Sequence, residues 1–300
     1  MTLKVLISDP IFEEGTKLLE QKGYQVTRGW NLPKAELPNI IGEYDALIVR
    51  SATKVKADLI IKGHNLKVIG RAGDGLDNID VKQAQKQRIL VVNTPHVASI
   101  SVAELAIGHL LALSRRIVEG TETLKQGKWL KEEFMGVEVN GKTLGIIGCG
   151  SIGREVKKLA LGLGMKVLTV DICVSKEFIP IDVMLPKADF ISIHVPLSPH
   201  TRHLISTKEF AKMKEGVMLI NCSRGGVVDE EALYQALIQC KVKAAALDVF
   251  EEEPPTNNKL LTLKNVYATP HIGAQTFEAQ LRTSVQIAKK VIEALESQTS

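Results

Sequence analysis

Three residues in the last third of the chain could together perform acid–base chemistry on a small acid, namely Arg224, Glu253 and His271. An imidazole exchanges a proton near neutral pH, and a guanidinium can hold a carboxylate through two hydrogen bonds. A glutamate beside the imidazole would orient the ring and favour its protonated form. This set suits a nicotinamide-dependent reaction of an alcohol, in which a base takes the hydroxyl proton as hydride leaves.

Each of these residues also has a plainer interpretation. His271 could be a core histidine with satisfied hydrogen bonds, and Arg224 could be a surface ion-pair partner. In the acidic run DVFEEEPP, Glu251 and Glu252 are predicted to be solvated surface. Glu253 differs because it precedes a proline, which biases its backbone towards an extended conformation and fixes the turn that follows.

A glycine-rich loop is the second chemical feature. Residues 148–153 read GCGSIG, between the strand pattern TLGII and a helical segment, and Asp171 ends the next predicted strand. In this context the glycines allow a tight turn and close approach of a pyrophosphate, which the helix N-terminus attracts. Asp171 would bind the ribose hydroxyls and repel a 2′-phosphate, which predicts NAD rather than NADP. The predicted contact residues of the loop are Gly148, Gly150, Ser151, Ile152 and Gly153.

Short apolar runs alternate with helical segments along the whole chain, which predicts a doubly wound α/β architecture. The first series contains KVLIS, YDALIVRS, LKVIGRAG and RILVVN, and the second contains TLGIIG, KVLTVD, FISIHV, VMLINC, KAAALDV and NVYAT. Near-continuous apolar strands are typical of parallel sheets that are covered on both faces. Arg224, Asp248 and His271 each follow such a strand, at the edge where these sheets bind ligands.

Three helical predictions frame the strands. An amphipathic helix is expected over residues 11–22. A long helix is expected to start at Ser101, with Ser101 and Glu104 forming a capping box, and to continue to a break near Gly127. The last helix, residues 276–296, has no strand after it and is expected to pack back on the first domain.

The composition argues against several classes of protein. The 300 residues are 45% hydrophobic and 24% charged, and 38 basic against 34 acidic residues give a net charge of +4. The charges are dispersed, which disfavours nucleic acid as a partner and is compatible with a small anionic substrate. No apolar run is long enough to predict a membrane span. Four widely spaced cysteines predict neither disulfides nor zinc, so a cytoplasmic protein without a metal is expected.

The sequence resembles the D-isomer-specific 2-hydroxyacid dehydrogenase family over essentially its whole length. The matching stretches are LIVRSATKV, GRAGDGLDNID, NTP, SVAELAIG, GKTLGIIGCGSIGREV, HVPL, NCSRGGVVDEEAL, ALDVFEEEP and TPHIGAQT. The resemblance implies a Rossmann NAD-binding domain, residues 98–275, inserted in a flavodoxin-like substrate-binding domain, residues 1–97 and 276–300. It also implies a homodimer formed through the NAD-binding domain, including the long helix near Ser101.

The resemblance also implies roles for individual residues. Arg224, Glu253 and His271 would be the catalytic set. The cofactor would be contacted further by Asp171, His194, Pro196, Cys222, Ser223, Asp248 and Gly273, with Asp248 at the nicotinamide carboxamide. The substrate carboxylate would be held by backbone amides of Ala72, Gly73, Asp74 and Gly75, and a substrate phosphate would lie near Arg50, Ser51 and Asn78.

Within the family, the resemblance favours oxidation of D-3-phosphoglycerate to 3-phosphohydroxypyruvate, the entry step of serine synthesis. The alternative reaction is reduction of glyoxylate, hydroxypyruvate or another 2-oxoacid. A more remote alternative is a non-catalytic scaffold that senses NAD, which the complete Arg–Glu–His set disfavours.

Several features depart from the family pattern. Asp74 stands where a small or apolar residue is usual, and its carboxylate would repel the substrate unless it points away. Glu132 and Glu133 occupy a segment that tends to be more basic in similar enzymes. The stretch between Asp171 and FISIH is short, so one crossover is expected to be trimmed. The chain ends near Ser300, so no C-terminal regulatory domain is expected.

Overall fold

The computed structural model describes residues 2–172 and 177–298, so Cys173 and Ser300 lie outside the described residues. The chain divides into two compact units, residues 1–98 with 275–300 and residues 99–274. Each unit contains a parallel β-sheet flanked by helices, which confirms the predicted α/β class. The second unit is continuous in sequence, whereas the first is assembled from both ends of the chain.

The strands are short and mostly apolar. The first unit contains β1 (Lys4–Ile7), β2 (Gln25–Arg28), β3 (Ala46–Val49), β4 (Val68–Arg71) and β5 (Leu90–Asn93), in the spatial order β2-β1-β3-β4-β5. The second contains β6 (Thr143–Ile147), β7 (Lys166–Val170), β8 (Phe190–Ile193), β9 (Val217–Asn221), β10 (Val242–Leu247) and β11 (Val266–Ala268), in the order β11-β10-β9-β8-β6-β7. The first order is that of flavodoxin-like sheets, as predicted.

Helices alternate with these strands. In the N-terminal part of the chain they are α1 (Glu13–Gln21), α2 (Leu37–Ile40), α3 (Ala57–Lys62) and α4 (Val81–Lys86). They continue with α5 (Ser99–Arg115), α6 (Ile117–Lys125), α7 (Ser151–Gly162), α8 (Ile181–Met184), α9 (Thr207–Lys212), α10 (Glu230–Ile238) and α11 (Phe277–Ser297).

Alternating side chains along the first sheet build a core on each of its faces. Val5 and Ile7 pack in one cluster with Ile287 and Val291 of α11, whereas Leu6 belongs to the cluster on the opposite face. The C-terminal helix therefore covers a sheet that is built by the N-terminal chain, as expected from its lack of a following strand.

A reduced crossover follows β7 in the second sheet. Thr169 of β7 makes a single parallel bridge to Phe178, and the backbone N of Ile179 donates to the Thr169 carbonyl at 3.0 Å. Because β7 is the edge strand, this bridge occupies the place that a further strand has in the Rossmann order. The expected trimming thus takes the form of a strand shortened to one bridged residue.

The long helix begins earlier than predicted. α5 starts at Ser99, so Ser101 is a buried residue within the first turn and does not cap the helix. The predicted capping box of Ser101 and Glu104 is therefore wrong. The pattern S-x-x-E is compatible with a cap, but the helix begins two residues further towards the N-terminus, at Ser99.

The helix also ends earlier than Gly127. Arg116 adopts a left-handed backbone with φ 53°, which separates α5 from α6. Its guanidinium binds the carboxylate of Glu119 at 3.0 Å and lies 4.9 Å from the centre of the Phe134 ring. The Tyr267 hydroxyl donates to the same carboxylate at 2.6 Å, which ties α6 to β11. These contacts stabilise the break.

Within the described part of the chain, no helix has the length and apolar character needed to cross a bilayer. The same residues contain no group of three or more His, Cys, Asp or Glu side chains that could hold a metal ion. Cys149 and Cys222 are buried, Cys240 is exposed, and these three thiols are free.

Candidate active site

The carboxyl edge of the second sheet carries the residues that sequence analysis selected. Strands β9, β10 and β11 are neighbours, and Leu247 at the end of β10 is in register with the last residue of both partners. The loops that contain Arg224, Asp248 and His271 follow these three strands directly. Because parallel strands end at a common edge, the three loops lie side by side.

The central contact of the site is the hydrogen bond between His271 and Glu253. Nδ1 of the imidazole lies 2.8 Å from Oε2 of the carboxylate, and Oε1 accepts a hydrogen bond from the backbone N of Phe250 at 3.2 Å. Burial tends to raise the pKa of Glu253, but the His271 contact, the Phe250 amide and the charge of Arg224 hold that pKa below its ordinary value. Glu253 is therefore ionised at neutral pH and fixes the ring through Nδ1.

A buried carboxylate anchors the loop that carries His271. The backbone of His271 is in the left-handed region, with φ 53°. Asp248, only 1% exposed, accepts hydrogen bonds from the backbone N of Ile272 and of Gly273, both at 2.8 Å, and from the Thr269 hydroxyl at 2.6 Å. Asp248 thus holds the residues on either side of His271, a role that sequence analysis did not assign to it.

Two further residues complete this anchor and were missed by sequence analysis. Nε2 of His109, on α5, lies 3.1 Å from the Thr269 hydroxyl oxygen. Burial lowers the pKa of His109 against the opposing charge of Asp248, so the ring is neutral. Because the Thr269 hydroxyl donates its hydrogen to Asp248, Nε2 of His109 is the donor to the threonine oxygen. The available signals were a polar residue in an apolar stretch of helix and a hydroxyl in the motif TPH. Neither signal identifies its partner.

Close backbone packing brings the Arg224 loop against the acidic loop. A Cβ added at Gly225 would overlap the carbonyl oxygen of Phe250, so only glycine fits between the two loops. The guanidinium of Arg224 is consequently near enough to Glu253 to lower the pKa of that carboxyl group. Arg224, Glu253 and His271 therefore belong to one electrostatic cluster.

The turn before Arg224 is closed by Asn221, which sequence analysis also missed. Its buried side chain accepts hydrogen bonds from the backbone N and hydroxyl of Ser223, at 3.1 and 2.8 Å, and donates to the Arg224 carbonyl at 3.2 Å. Burial raises the pKa of the Cys222 thiol, which stays protonated. The contacts of Cys222 and Ser223 with NAD remain predictions.

The other two glutamates of the acidic run differ from each other. Glu252 is exposed, as predicted. Oε1 of Glu251 lies 3.1 Å from Nε2 of His203 and accepts from the backbone N of Glu230 at 3.3 Å, and its own backbone N donates to Glu230 at 2.6 Å. Glu251 is exposed, as predicted, and its surface contacts also tie the acidic loop to the start of α10.

The glycine loop joins β6 to α7, whose first turn contains Ser151 and Ile152. A Cβ added at Gly153 would overlap the Gly148 carbonyl oxygen, so helix and strand pack in direct contact. At Gly150, in contrast, a Cβ would meet open space, as a loop that receives a ligand requires. The positive end of the helix dipole at the α7 N-terminus favours an anion there.

Two polar residues on neighbouring strand ends extend this loop. Asp171, after β7, accepts a hydrogen bond from the backbone N of Cys149 at 2.6 Å, which places its carboxylate beside the loop. His194, after β8, lies 2.8 Å from the Ser192 hydroxyl through Nε2, and burial lowers its pKa to about 4. Its buried Nδ1 has no protein partner within the described residues, and a ligand could satisfy it. Pro196 is exposed nearby in the same loop.

The four backbone amides predicted to hold the substrate carboxylate, those of residues 72–75, lie in the first unit, directly after β4. Two of these amides already have acceptors within the protein. The backbone N of Ala72 donates to the Val49 carbonyl at the end of β3 at 2.8 Å, and that of Gly73 donates to the Arg71 carbonyl at the end of β4 at 2.9 Å. Among the described residues, the backbone N of Asp74 and that of Gly75 have no protein acceptor. Asp74 is an exposed residue. Two of the four predicted donors are therefore engaged.

The predicted phosphate residues occupy adjoining loops of the first unit. Arg50 and Ser51 follow β3, and the Asn78 amide donates to the Arg50 carbonyl at 2.7 Å. Asn78 thus supports the Arg50 backbone. Glu132 and Glu133 are exposed residues of a short 3-10 helix in the second unit.

The parallel sheets, the glycine loop and the histidine–carboxylate pair define a dinucleotide-binding α/β protein with an acid–base site. Residues 107–273 match the sequence model described as D-isomer specific 2-hydroxyacid dehydrogenase, NAD binding domain. The chain therefore belongs to the D-isomer-specific 2-hydroxyacid dehydrogenase family. NAD is its cofactor, and residues 148–153, Asp171 and the unsatisfied His194 nitrogen fit such a dinucleotide.

Known proteins of two activities are similar to this chain. It is 50% identical over 300 residues to hydroxypyruvate reductase of Thermotoga maritima, covering 97% of this chain and 98% of that protein. It is 48% identical over 302 residues to D-3-phosphoglycerate dehydrogenase of Methanocaldococcus jannaschii, covering 98% of this chain but 57% of that protein. The solved structure of TT0316 protein from Thermus thermophilus superposes with a TM-score of 0.91 at 33% identity, covering 98% of this chain and 97% of that one.

Replacing Thr269 by valine tests the anchor of the histidine loop. Thr269→Val preserves shape but removes the hydroxyl that links Asp248 to His109. A lost hydrogen bond to a charged group costs about 1.5–3 kcal/mol, so we expect kcat to fall about tenfold while the Kd for NADH changes little. Steady-state kinetics and NADH fluorescence titration measure the two effects. Thr262→Val, whose hydroxyl donates only to the Lys259 carbonyl, is the matched control; equal losses in both variants would contradict the anchor.

Proposed function

We propose that the protein oxidises D-3-phosphoglycerate to 3-phosphohydroxypyruvate with NAD. The 2.8 Å contact between His271 and Glu253 supports the acid–base step. The observation that carries the choice of substrate is the position of Arg50 in the loop after β3, because a guanidinium can bind a phosphate through two hydrogen bonds. Direct assay of 3-phosphoglycerate against D-glycerate tests the proposal.

The proton transfer follows from the tautomer that Glu253 imposes. With Nδ1 of His271 engaged by an ionised carboxylate, the neutral ring carries its proton on Nδ1 and offers the Nε2 lone pair to the substrate hydroxyl. NAD supplies the acceptor for the hydride that leaves the substrate carbon. When His271 takes the hydroxyl proton it becomes an imidazolium, which the Glu253 charge stabilises.

Arg224 binds and polarises the substrate in this proposal. Its fixed charge attracts the carboxylate and stabilises the oxygen that becomes the carbonyl. The turn held by Asn221 and Gly225 keeps the guanidinium in the same cluster as Glu253. The amides of Asp74 and Gly75 are proposed to receive the substrate carboxylate, and Asp248 the nicotinamide carboxamide.

Reduction of hydroxypyruvate is the second candidate function. It is favoured by the 50% identity to the Thermotoga maritima hydroxypyruvate reductase, which this chain matches over 98% of that protein's length. The two substrates differ by one phosphate group, and the same His271, Glu253 and Arg224 would serve either. The decision between them therefore depends on the phosphate-reading residues. A non-catalytic NAD sensor is disfavoured by the assembled His271–Glu253 pair, and an assay that detects turnover of NADH would exclude it.

Replacing Glu253 by glutamine tests the acid–base pair. The pKa of Glu253 lies below its ordinary value, so its charge persists throughout the range in which an imidazole titrates. Glu253→Gln removes the charge that favours the protonated ring, so the acid limb of the pH–rate profile for oxidation should move to lower pH by about one unit. Glu251→Gln is the control, since that side chain contacts His203. An unchanged profile for Glu253→Gln would overturn the pairing.

Replacing Arg50 by alanine tests the substrate. We expect Arg50→Ala to raise KM for 3-phosphoglycerate about tenfold or more and to leave KM for hydroxypyruvate almost unchanged, because a charged hydrogen bond to phosphate is lost. Lys54→Ala, which removes an exposed cation close in sequence, controls for general electrostatic attraction. Equal effects of Arg50→Ala on both substrates, or equal turnover of D-glycerate by the wild type, would exclude the phosphorylated substrate.

We also propose a homodimer formed through the second unit. Between residues 100 and 135 this unit exposes large apolar side chains, including Ile117 at 53%, Leu124 at 58%, Trp129 at 79% and Met135 at 84%. Surface of this kind on a folded protein marks an interaction site. Light scattering should give twice the mass of the chain, and Trp129→Ser with Met135→Ser should reduce it to one chain. A monomeric wild type would refute the dimer.

A further inference from the structure

We propose that Asp9, Lys34 and Asn78 are positioning residues. They hold the loop of residues 50–53 rigid, so that Arg50 is oriented to bind the substrate's distal phosphate. The inference rests on the proposed function and deepens it. None of the three side chains needs to touch the substrate. They act through the backbone and orientation of Arg50, which is the residue proposed to meet the phosphate.

The carboxylate of Asp9 binds the backbone N–H groups at both ends of this loop. Asp9 lies two residues after the end of β1 and is 2% exposed. Its Oδ2 accepts hydrogen bonds from the backbone N of Arg50 at 2.7 Å and of Thr53 at 3.0 Å, and its Oδ1 accepts from the Thr53 hydroxyl at 2.7 Å. One carboxylate therefore closes the loop into a fixed turn, with Ser51 and Ala52 exposed at its tip.

Asn78 holds the same two residues by their acceptors. Its side-chain amide donates to the carbonyls of Arg50 and Thr53, at 2.7 Å each. Its own backbone carbonyl accepts from the backbone N of Val55 at 2.8 Å, beside the parallel bridge between Val55 and Ile79. The amide hydrogens at the two ends of the loop and the carbonyls at both ends are thus all bound by side chains from other segments.

Lys34 balances the charge of this clamp. Its ammonium contacts Oδ1 of Asp9 at 2.8 Å, the Thr53 hydroxyl at 2.9 Å and the Ser8 carbonyl. Burial tends to raise the pKa of Asp9, but the hydrogen bonds from Lys34, Thr53 and the loop amides leave it lowered, so the carboxylate stays ionised. Without Lys34, this buried negative charge would oppose an incoming phosphate dianion.

In this proposal Arg50 is the cation that meets the phosphate. One of its guanidinium nitrogens lies 3.5 Å from the Pro10 carbonyl, so the side chain lies along the segment that carries Asp9. Burial lowers the pKa of Arg50, but a guanidinium remains charged at every pH of interest. A partly desolvated cation on an immobile backbone suits a phosphate monoester, because little conformational freedom is lost on binding.

The test is a double-mutant cycle with Asp9→Asn and Arg50→Ala. Asp9→Asn alone should raise KM for 3-phosphoglycerate about tenfold and keep kcat within about twofold, because only the orientation of Arg50 towards the phosphate is lost. KM for hydroxypyruvate, which has no phosphate, should be unchanged. The double variant should be no worse than Arg50→Ala, since Asp9 acts through Arg50. Asp45→Asn is the matched control: that carboxylate binds the backbone N of Lys4 and the Lys67 ammonium, both at 2.9 Å, at the opposite end of the same strands.

Several outcomes would overturn the inference. Additive losses in the double variant, a fall in kcat with KM unchanged, or equal effects on both substrates would show a merely structural role for Asp9. If Asp9→Asn fails to fold, Asn78→Ala, which releases only the two loop carbonyls, replaces it in the same cycle. The proposed function fails separately, if the wild type shows no preference for the phosphorylated acid. In that case the Kd of 3-phosphoglycerate replaces KM in the same cycle: a double variant that binds it no worse than Arg50→Ala supports the inference, and additive losses overturn it.

Discussion

A buried carboxylate that captures the amides of a neighbouring loop is the interaction on which both units depend. Asp248 follows β10 and binds two backbone amides of the loop after β11. Asp9 follows β1 and binds two backbone amides of the loop after β3, the neighbour of β1. Both carboxylates are at most 2% exposed. Burying such a charge is costly, and several hydrogen bonds at once offset that cost, so each loop has one permitted geometry.

This arrangement explains why the chemistry can lie on loops without being loose. Catalytic loops are mobile unless a rigid element holds them. Here the strand ends supply the fixed points, and Asn221 and Gly225 perform the same function for Arg224 by a turn and a close backbone approach. The sheet therefore determines where the reacting side chains are, although none of them is part of a strand.

Much of this architecture could be predicted because short stretches of sequence determine it. Apolar runs gave the strands, and the glycine loop with Asp171 gave the dinucleotide site, since each signal lies within a few residues of the structure it specifies. The contact of Thr269 with His109 spans 160 residues and has no local pattern. Ser101 shows the opposite failure, because the local pattern fits a cap but the helix begins two residues earlier, at Ser99. The contacts of the exposed Glu251 with His203 and Glu230 also have no local pattern, because both partners are distant in sequence.

Because the His271–Glu253 pair is exposed, salt weakens the charge interaction between the two side chains but not their hydrogen bond. Its side chains are 46% and 38% exposed, so mobile ions reach them, and at physiological ionic strength charges are screened over about 8 Å. Salt weakens the attraction that stabilises an imidazolium, but it leaves a 2.8 Å hydrogen bond in place. The carboxylate therefore sets the direction of the imidazole at any ionic strength, whereas its electrostatic attraction for a charged ring varies with the electrolyte around the protein.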